Sequence, residues 1–196
     1  MTAVYGEPHI GLVVEGPGDA KSAPILLRNW LQLRGQYVDV LGKPVPCNGR
    51  ENATCVGGVE GYVATAAARP GCKAVLVILD GEGDDVRELG PQLLRRLQRV
   101  THLPAAVCLA DRNWEDWLYA SAETLRIDGF SYEAGKRKSI AAALKPTKYV
   151  KPTWQPRLTA RMDIPLAASR SASLERLLQK FDALVAHCLD GGQGSV

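Results

Sequence analysis

Ile10-Gly11-Leu12-Val13-Val14-Glu15-Gly16-Pro17-Gly18-Asp19-Ala20 is an apolar run that stops abruptly on a carboxylate and a glycine-rich turn. Ile10 to Val14 shows no polar alternation, the pattern of a parallel strand covered on both faces. After Gly16 to Gly18 the spacing changes to a helical one. Asp19 or Ser22 can cap this helix, Pro24 suits its first turn, Ile25, Leu26, Leu27, Trp30, Leu31 and Leu33 give it a wide apolar face, and Gly35 ends it. The stretch therefore reads as a buried strand that delivers Glu15 to the rim of a sheet.

Ala74 to Leu79 is a second such run, and it too ends on acids: Asp80-Gly81-Glu82-Gly83-Asp84-Asp85. Pro104 to Leu109 is a third, followed by Asp111, Glu115 and Asp116 at the entry to another helix. Tyr37 to Leu41 supplies a short additional strand, and the Pro/Gly/Asn-rich residues after it, through Cys55, read as loop. Val59 to Ala68 and Pro91 to Gln98, the latter opened by Pro91, are the intervening helices. Strands alternating with helices predict an α/β fold, a doubly wound sheet of about four parallel strands with helices on both faces. In such sheets function gathers in the crevice at the C-terminal ends of the strands.

Beyond residue 125 the pattern is less regular. Glu133 to Leu144 reads as a helix, Lys145 to Pro165 as an extended stretch broken by four prolines, and Ser173 to Leu189 as a terminal helix capped by Ser171 or Ser173. The expectation is a core over 1–125 and a basic extension over 126–196, packed on the core as one compact unit. Gly191 to Val196 reads as a small low-complexity tail.

At 196 residues and 46% hydrophobic content the chain can bury a real core. No stretch approaches the roughly 18 apolar residues of a membrane span, and Met1 to Pro8 lacks the order of a signal peptide. A cytoplasmic protein without membrane partners is expected. The five cysteines are odd in number and form no C-x-x-C pair, so they read as reduced thiols, and the three histidines are too scattered to suggest zinc. Charge is distributed unevenly. Residues 1–120 carry 12 basic and 14 acidic side chains, net −2, whereas residues 121–196 carry 12 and 7, net +5. From Lys136 to Arg161 there is no Asp or Glu, and Tyr149 and Trp154 are interleaved with the cations. A nucleic-acid partner gripped by Lys136, Lys138, Lys148 and Lys151 accounts for this as well as a segment that wraps the sheet and offsets its acidic rim does.

Glu15, Asp80 and Glu82, with Asp84, Asp85, Asp111, Glu115 and Asp116, are too many acids for one rim unless cations offset their repulsion. Hard oxygen donors at the end of a sheet suit Mg²⁺ or Mn²⁺. Taken singly, Asp84, Asp85 and Asp116 read as helix caps or solvated loop acids. Phosphate-loop readings of Gly16 to Ser22 fail: Ala20 precedes Lys21-Ser22 where the Walker pattern has glycine, and Lys21 stands where the dinucleotide pattern has its third glycine.

The segments V-V-E-G-P-G-D-A (13–20), L-D-G-E-G-D-D (79–85), E-D-W-L-Y-A-S (115–121) and Y-V-K-P-T-W-Q-P-R-L-T-A-R-M-D (149–163) together resemble the stand-alone Toprim-like proteins grouped as domain of unknown function 4276. These are related to the Toprim module of overcoming-lysogenisation-defect nucleases. The resemblance implies a Mg²⁺- or Mn²⁺-dependent nuclease acting on DNA or RNA, with Glu15, Asp80 and Glu82 as catalytic residues. It implies metal ligation by Glu15, Asp80, Glu82, Asp84 and Glu115, an ATPase subunit in trans, and a role in defence against phage. Glu82 stands where that pattern has a second Asp, so a non-catalytic scaffold that binds nucleic acid or a partner subunit is the alternative. A small-molecule phosphohydrolase ranks third.

Overall fold

The computed structural model describes residues 6–190; the tail Gly191 to Val196 lies outside them. Four strands, β1 (His9–Val14), β2 (Val45–Pro46), β3 (Cys72–Asp80) and β4 (Ala105–Ala110), form one sheet in the order β2-β1-β3-β4. Every pairing is parallel, with Val13 opposite Val45, Val14 opposite Ile78 and Ile78 opposite Cys108. Helices cover both faces, so the chain is a doubly wound α/β protein.

The pleat of the apolar runs sorts their side chains between two cores. Ile10, Leu12, Val14, Leu76 and Ile78 point to the face covered by α1 (Pro17–Leu33), α5 (Trp114–Tyr119), α7 (Lys151–Thr159), α8 (Ile164–Arg170) and α9 (Ala172–Asp190). Val13, Val75, Val77, Leu79, Val107 and Leu109 point to the other face, under α2 (Arg50–Thr54), α3 (Gly58–Ala67) and α4 (Val86–Leu97). Residues i and i+1 of each strand are thus both buried, which is why the runs lack polar alternation. α9 lies along β3 and β4, and its Leu174, Leu177 and Phe181 are fully buried against the sheet. No helix among the described residues is long and apolar enough to cross a membrane.

Several element boundaries differ from the sequence expectation, each for a local reason. Tyr37 to Leu41 is not a strand. Tyr37 is 81% exposed, only Leu41 makes a bridge to Ile10, and the strand beside β1 is Val45–Pro46. The following loop contains the short helix α2. Two prolines expected to open helices lie inside them instead. The Asp19 carboxylate accepts from the Gly16 amide at 2.9 Å, and Pro17 starts α1, leaving Pro24 in the interior. Likewise Asp85 caps α4 through the Arg87 amide at 2.9 Å, which leaves Pro91 mid-helix.

In the expected helix over Glu133 to Leu144 only α6 (Ile140–Ala143) forms, capped by the Ser139 hydroxyl, because Gly135 takes a positive φ of 73° upstream. The proline-rich stretch is not extended. Pro152 and Pro165 occupy the first turns of α7 and α8, where a missing N–H costs nothing. At the last helix Ser171 Oγ accepts from the Leu174 amide at 3.3 Å, the cap expected for α9.

Candidate active site

β1 ends at Val14, opposite Ile78 and two residues before the paired strand β3 does, and the Glu15 side chain fills the gap. Its Oε2 accepts from the Asp80 amide at 3.2 Å, the N–H that a further residue of β1 would otherwise have bound. Glu15 is 9% exposed and its backbone carbonyl is held by the Gly49 amide at 3.0 Å. Asp80, the last residue of β3, is 5% exposed. Its Oδ1 accepts from the Trp114 amide at 2.9 Å, at the start of α5, and its Oδ2 accepts from the Lys151 ammonium at 3.0 Å.

The same ammonium stands 3.5 Å from Asp19 Oδ1, which also accepts from Gln155 Nε2 at 2.7 Å. Asp19 is 3% exposed. Lys151 and Gln155 are one turn apart on α7, so this helix lays a cation and an amide across two buried carboxylates. Its close approach depends on Gly18: a Cβ there would overlap Gln155 Oε1 and lie 3.0 Å from Lys151 Cγ.

Three buried carboxylates and one ammonium therefore meet at the C-terminal rim. Burial pushes the Asp80 carboxyl up to about 7, with Asp19 and Glu15 adding to the rise and Lys151 opposing it. Burial also raises Glu15, against the Asp80 amide and Lys151. For Lys151 burial works downward, but Asp80, Asp19 and Glu115 outweigh it and hold the ammonium above the usual lysine range. One ammonium thus faces three carboxylates in a largely buried site. A cleft of about 380 Å³ opens beside it, lined by Glu15 to Asp19, Asn48, Gly49, Lys151 and Pro152.

The remaining expected residues lie further out. Glu82 follows the tight turn at Gly81, has a positive φ of 48°, and its side chain is 54% exposed. Arg50, from α2, donates to the Asp80 carbonyl and to Asp84, and stands 3.7 Å from Glu82 Oε2. One arginine thus engages Glu82, Asp84 and the Asp80 carbonyl together. Glu115, in the first turn of α5, accepts from the Tyr149 hydroxyl at 2.7 Å. Asp85 is a helix cap, and Asp116 pairs with Arg137 at 2.7 Å. Lys136 and Lys138 both pair with Glu133, and Lys148 is exposed. Lys138, Arg112, Arg137, Glu115 and Tyr149 line a second cleft of about 530 Å³ on the α5 side of the rim.

Two residues of the site were not singled out for chemistry from the sequence. Asp19 reads there only as a helix cap, and it is one; its second oxygen serves the site. Gln155 lies in a stretch that four prolines disguise as irregular. The signal for both was the spacing of Glu15 to Asp19 across a strand-turn-helix, and of Lys151 to Gln155 across one helical turn.

The chemistry of the donors suits a hard divalent cation: buried carboxylate oxygens from separate elements, in mutual repulsion. Their arrangement is satisfied by Lys151 instead, and among the described residues no three His, Cys, Asp or Glu side chains are grouped to hold a metal. Comparison with protein-family models, with curated proteins and with solved structures finds no match to this chain.

Proposed function

We propose that this chain hydrolyses phosphodiester bonds of nucleic acid at the Glu15–Asp19–Asp80 rim, as a Mg²⁺- or Mn²⁺-dependent nuclease of Toprim type. The observation that carries the reading is the Lys151 ammonium, held between two buried carboxylates at the mouth of a cleft that also contains Glu15. A phosphate entering that cleft meets Lys151 as its counter-charge. Were the ammonium to turn toward a phosphate oxygen, Asp80 and Asp19 would be the residues left to hold a metal ion, with Glu15 beside them. The ion, when bound, supplies charge neutralisation and a more acidic water.

The chain's own groups do the rest. The Trp114 amide fixes one oxygen of Asp80, and the Asp80 amide fixes one oxygen of Glu15, so both carboxylates are pre-oriented. Glu15, with its proton affinity raised by burial, is the group suited to take a proton from water. Arg112, Arg137 and Lys138 line the second cleft beside Glu115 and Asp116, and exchange of the Arg137–Asp116 and Lys138–Glu133 pairs for phosphate would let them hold the flanking strand. An ATPase in trans and a role in phage defence rest on the sequence resemblance alone.

The Arg50 contacts favour a second reading, a non-catalytic scaffold that binds nucleic acid, because Glu82 and Asp84 are already neutralised by an arginine of the same chain. Purified protein incubated with single- and double-stranded DNA and RNA separates the two. The nuclease reading predicts cleavage that needs Mg²⁺ or Mn²⁺ and is lost in Glu15→Ala and Asp80→Ala. Salt-sensitive binding without cleavage would support the scaffold. Turnover of nucleotides or simple phosphoesters alone would point to a small-molecule phosphohydrolase.

A further inference from the structure

At the other end of the sheet order from β2, no strand among the described residues pairs with the outer side of β4, whose Val107 and Leu109 are 4% and 7% exposed between the flanking helices. The Val75 amide donates to the Pro104 carbonyl at 2.9 Å, and Val75 sits opposite Ala105. The parallel ladder then turns the backbone groups of 104, 106, 108 and 110 toward β3 and those of Ala105, Val107 and Leu109 away from it. The Val107 carbonyl confirms this direction, since it accepts from Lys180 Nζ of α9 at 2.9 Å. Helices α4 and α9 stand on either side of this edge and enclose a groove of about 430 Å³ with Val107 to Leu109 as its floor. Leu94 makes one wall apolar. Arg87, Arg176 and Lys180 line the groove, and no carboxylate is among its described lining residues; Arg176 also stands 3.4 Å from Asp111 Oδ1 outside it.

We propose that this groove docks an extended acidic segment of a partner protein, which adds to β4 as a fifth strand. Val107 and Leu109 offer outward amides to its carbonyls, the mode of recognition by strand addition. The incoming strand displaces Lys180 from the Val107 carbonyl, and the freed ammonium pairs with an Asp or Glu on the strand. Alternate apolar side chains fall toward Leu94. A second copy of this chain is the poorer occupant, because an edge-to-edge pair would set the same three cations against each other. The groove is distinct from the Glu15–Asp80 rim and does not depend on the activity proposed for it.

The experiment titrates the ¹⁵N-labelled full chain with a peptide that alternates Val or Ile with Asp or Glu. A control peptide of the same length carries Lys in place of the acids. Expected is saturable binding of the acidic peptide, with slowed hydrogen exchange at the Val107 and Leu109 amides. The affinity should drop at least about tenfold in the double variant Arg176→Glu/Lys180→Glu, which should bind the Lys peptide instead. That swap also shows the variant to be folded. Equal binding of both peptides, no protection at Val107 and Leu109 at millimolar peptide, or concentration-dependent self-association through these amides would each overturn the proposal.

Discussion

Replacing Lys151 by methionine keeps the aliphatic stem that packs beside Gly18 and removes only the ammonium. Asp80 and Asp19, whose side chains are 7% and 4% exposed, then lose the cation between them. Breaking a fully buried pair costs about 3–5 kcal/mol, and an exposed pair is worth about 0–1 kcal/mol. Lys151 itself is 33% exposed, so solvent screens part of the effect, and the expected loss is about 2 kcal/mol at pH 8. For a chain of this length that is a fall of about 4–8 °C in Tm.

The loss should depend on pH in a definite direction. In the wild type burial holds the Asp80 carboxyl up to about 7; without the ammonium it binds its proton still more tightly. At pH 5 Asp80 is neutral in both proteins and only Asp19 misses its partner, so the destabilisation should be at most half that at pH 8. Thermal unfolding followed by circular dichroism at the two pH values measures this directly. Addition of Mn²⁺ should then raise Tm more in Lys151→Met than in the wild type, because the ammonium no longer competes for the carboxylates; binding at a hundredfold excess over Kd is worth about 2.7 kcal/mol. A destabilisation equal at both pH values, or larger at pH 5, would refute the electrostatic account of the site.

Gly18→Ala gains helix propensity of up to about 1 kcal/mol, yet its Cβ overlaps Gln155 Oε1. Overpacking of this kind costs about 1–3 kcal/mol, so a net loss of stability and of any cleavage activity together is expected from melting curves and strand-cutting assays. Asp80 binds its proton more tightly folded than unfolded, so its contribution favours folding below its ordinary value of 3.8 and is lost as pH rises toward about 7. Urea titrations should accordingly show the wild type losing stability relative to Asp80→Asn across that interval. Arg50→Ala removes the donor shared by the Asp80 carbonyl, Glu82 and Asp84, and hydrogen exchange at Gly81 to Asp84 should quicken at least about tenfold while the amides of β3 keep their protection.

The strands were legible where burial on both faces left an unbroken apolar run. His9–Val14 adds one residue to the expected segment, Cys72–Asp80 adds two before it and one after, and Ala105–Ala110 is the expected segment moved on by one residue. β2 was not, because two paired residues, Val45 and Pro46, carry no periodicity, while Tyr37 to Leu41 has strand-like residues of which Val40 and Leu41 enter the core and Tyr37 and Val38 face solvent. Proline misled in both directions. Pro24 and Pro91 read as helix starts and lie inside helices, whereas Pro152 read as a break and opens the helix that carries Lys151. The same error separated Lys151 from the rim: in an extended stretch it is one cation among many, and on α7 it reaches Asp19 and Asp80. Glu15 and Asp80 were found because each directly follows a buried strand. Asp19 was overlooked because a cap satisfies only one of its oxygens.

The most direct test of the rim is whether its carboxylates act together on a phosphodiester. Single-turnover cleavage of end-labelled oligonucleotides in Mn²⁺ should be measured for wild type and for Asp80→Asn, Asp19→Asn and Glu15→Gln, with matched circular dichroism spectra. Cleavage by the wild type and a loss of at least about a hundredfold in each variant are expected. Cleavage that persists in all three folded variants would contradict joint action of the carboxylates.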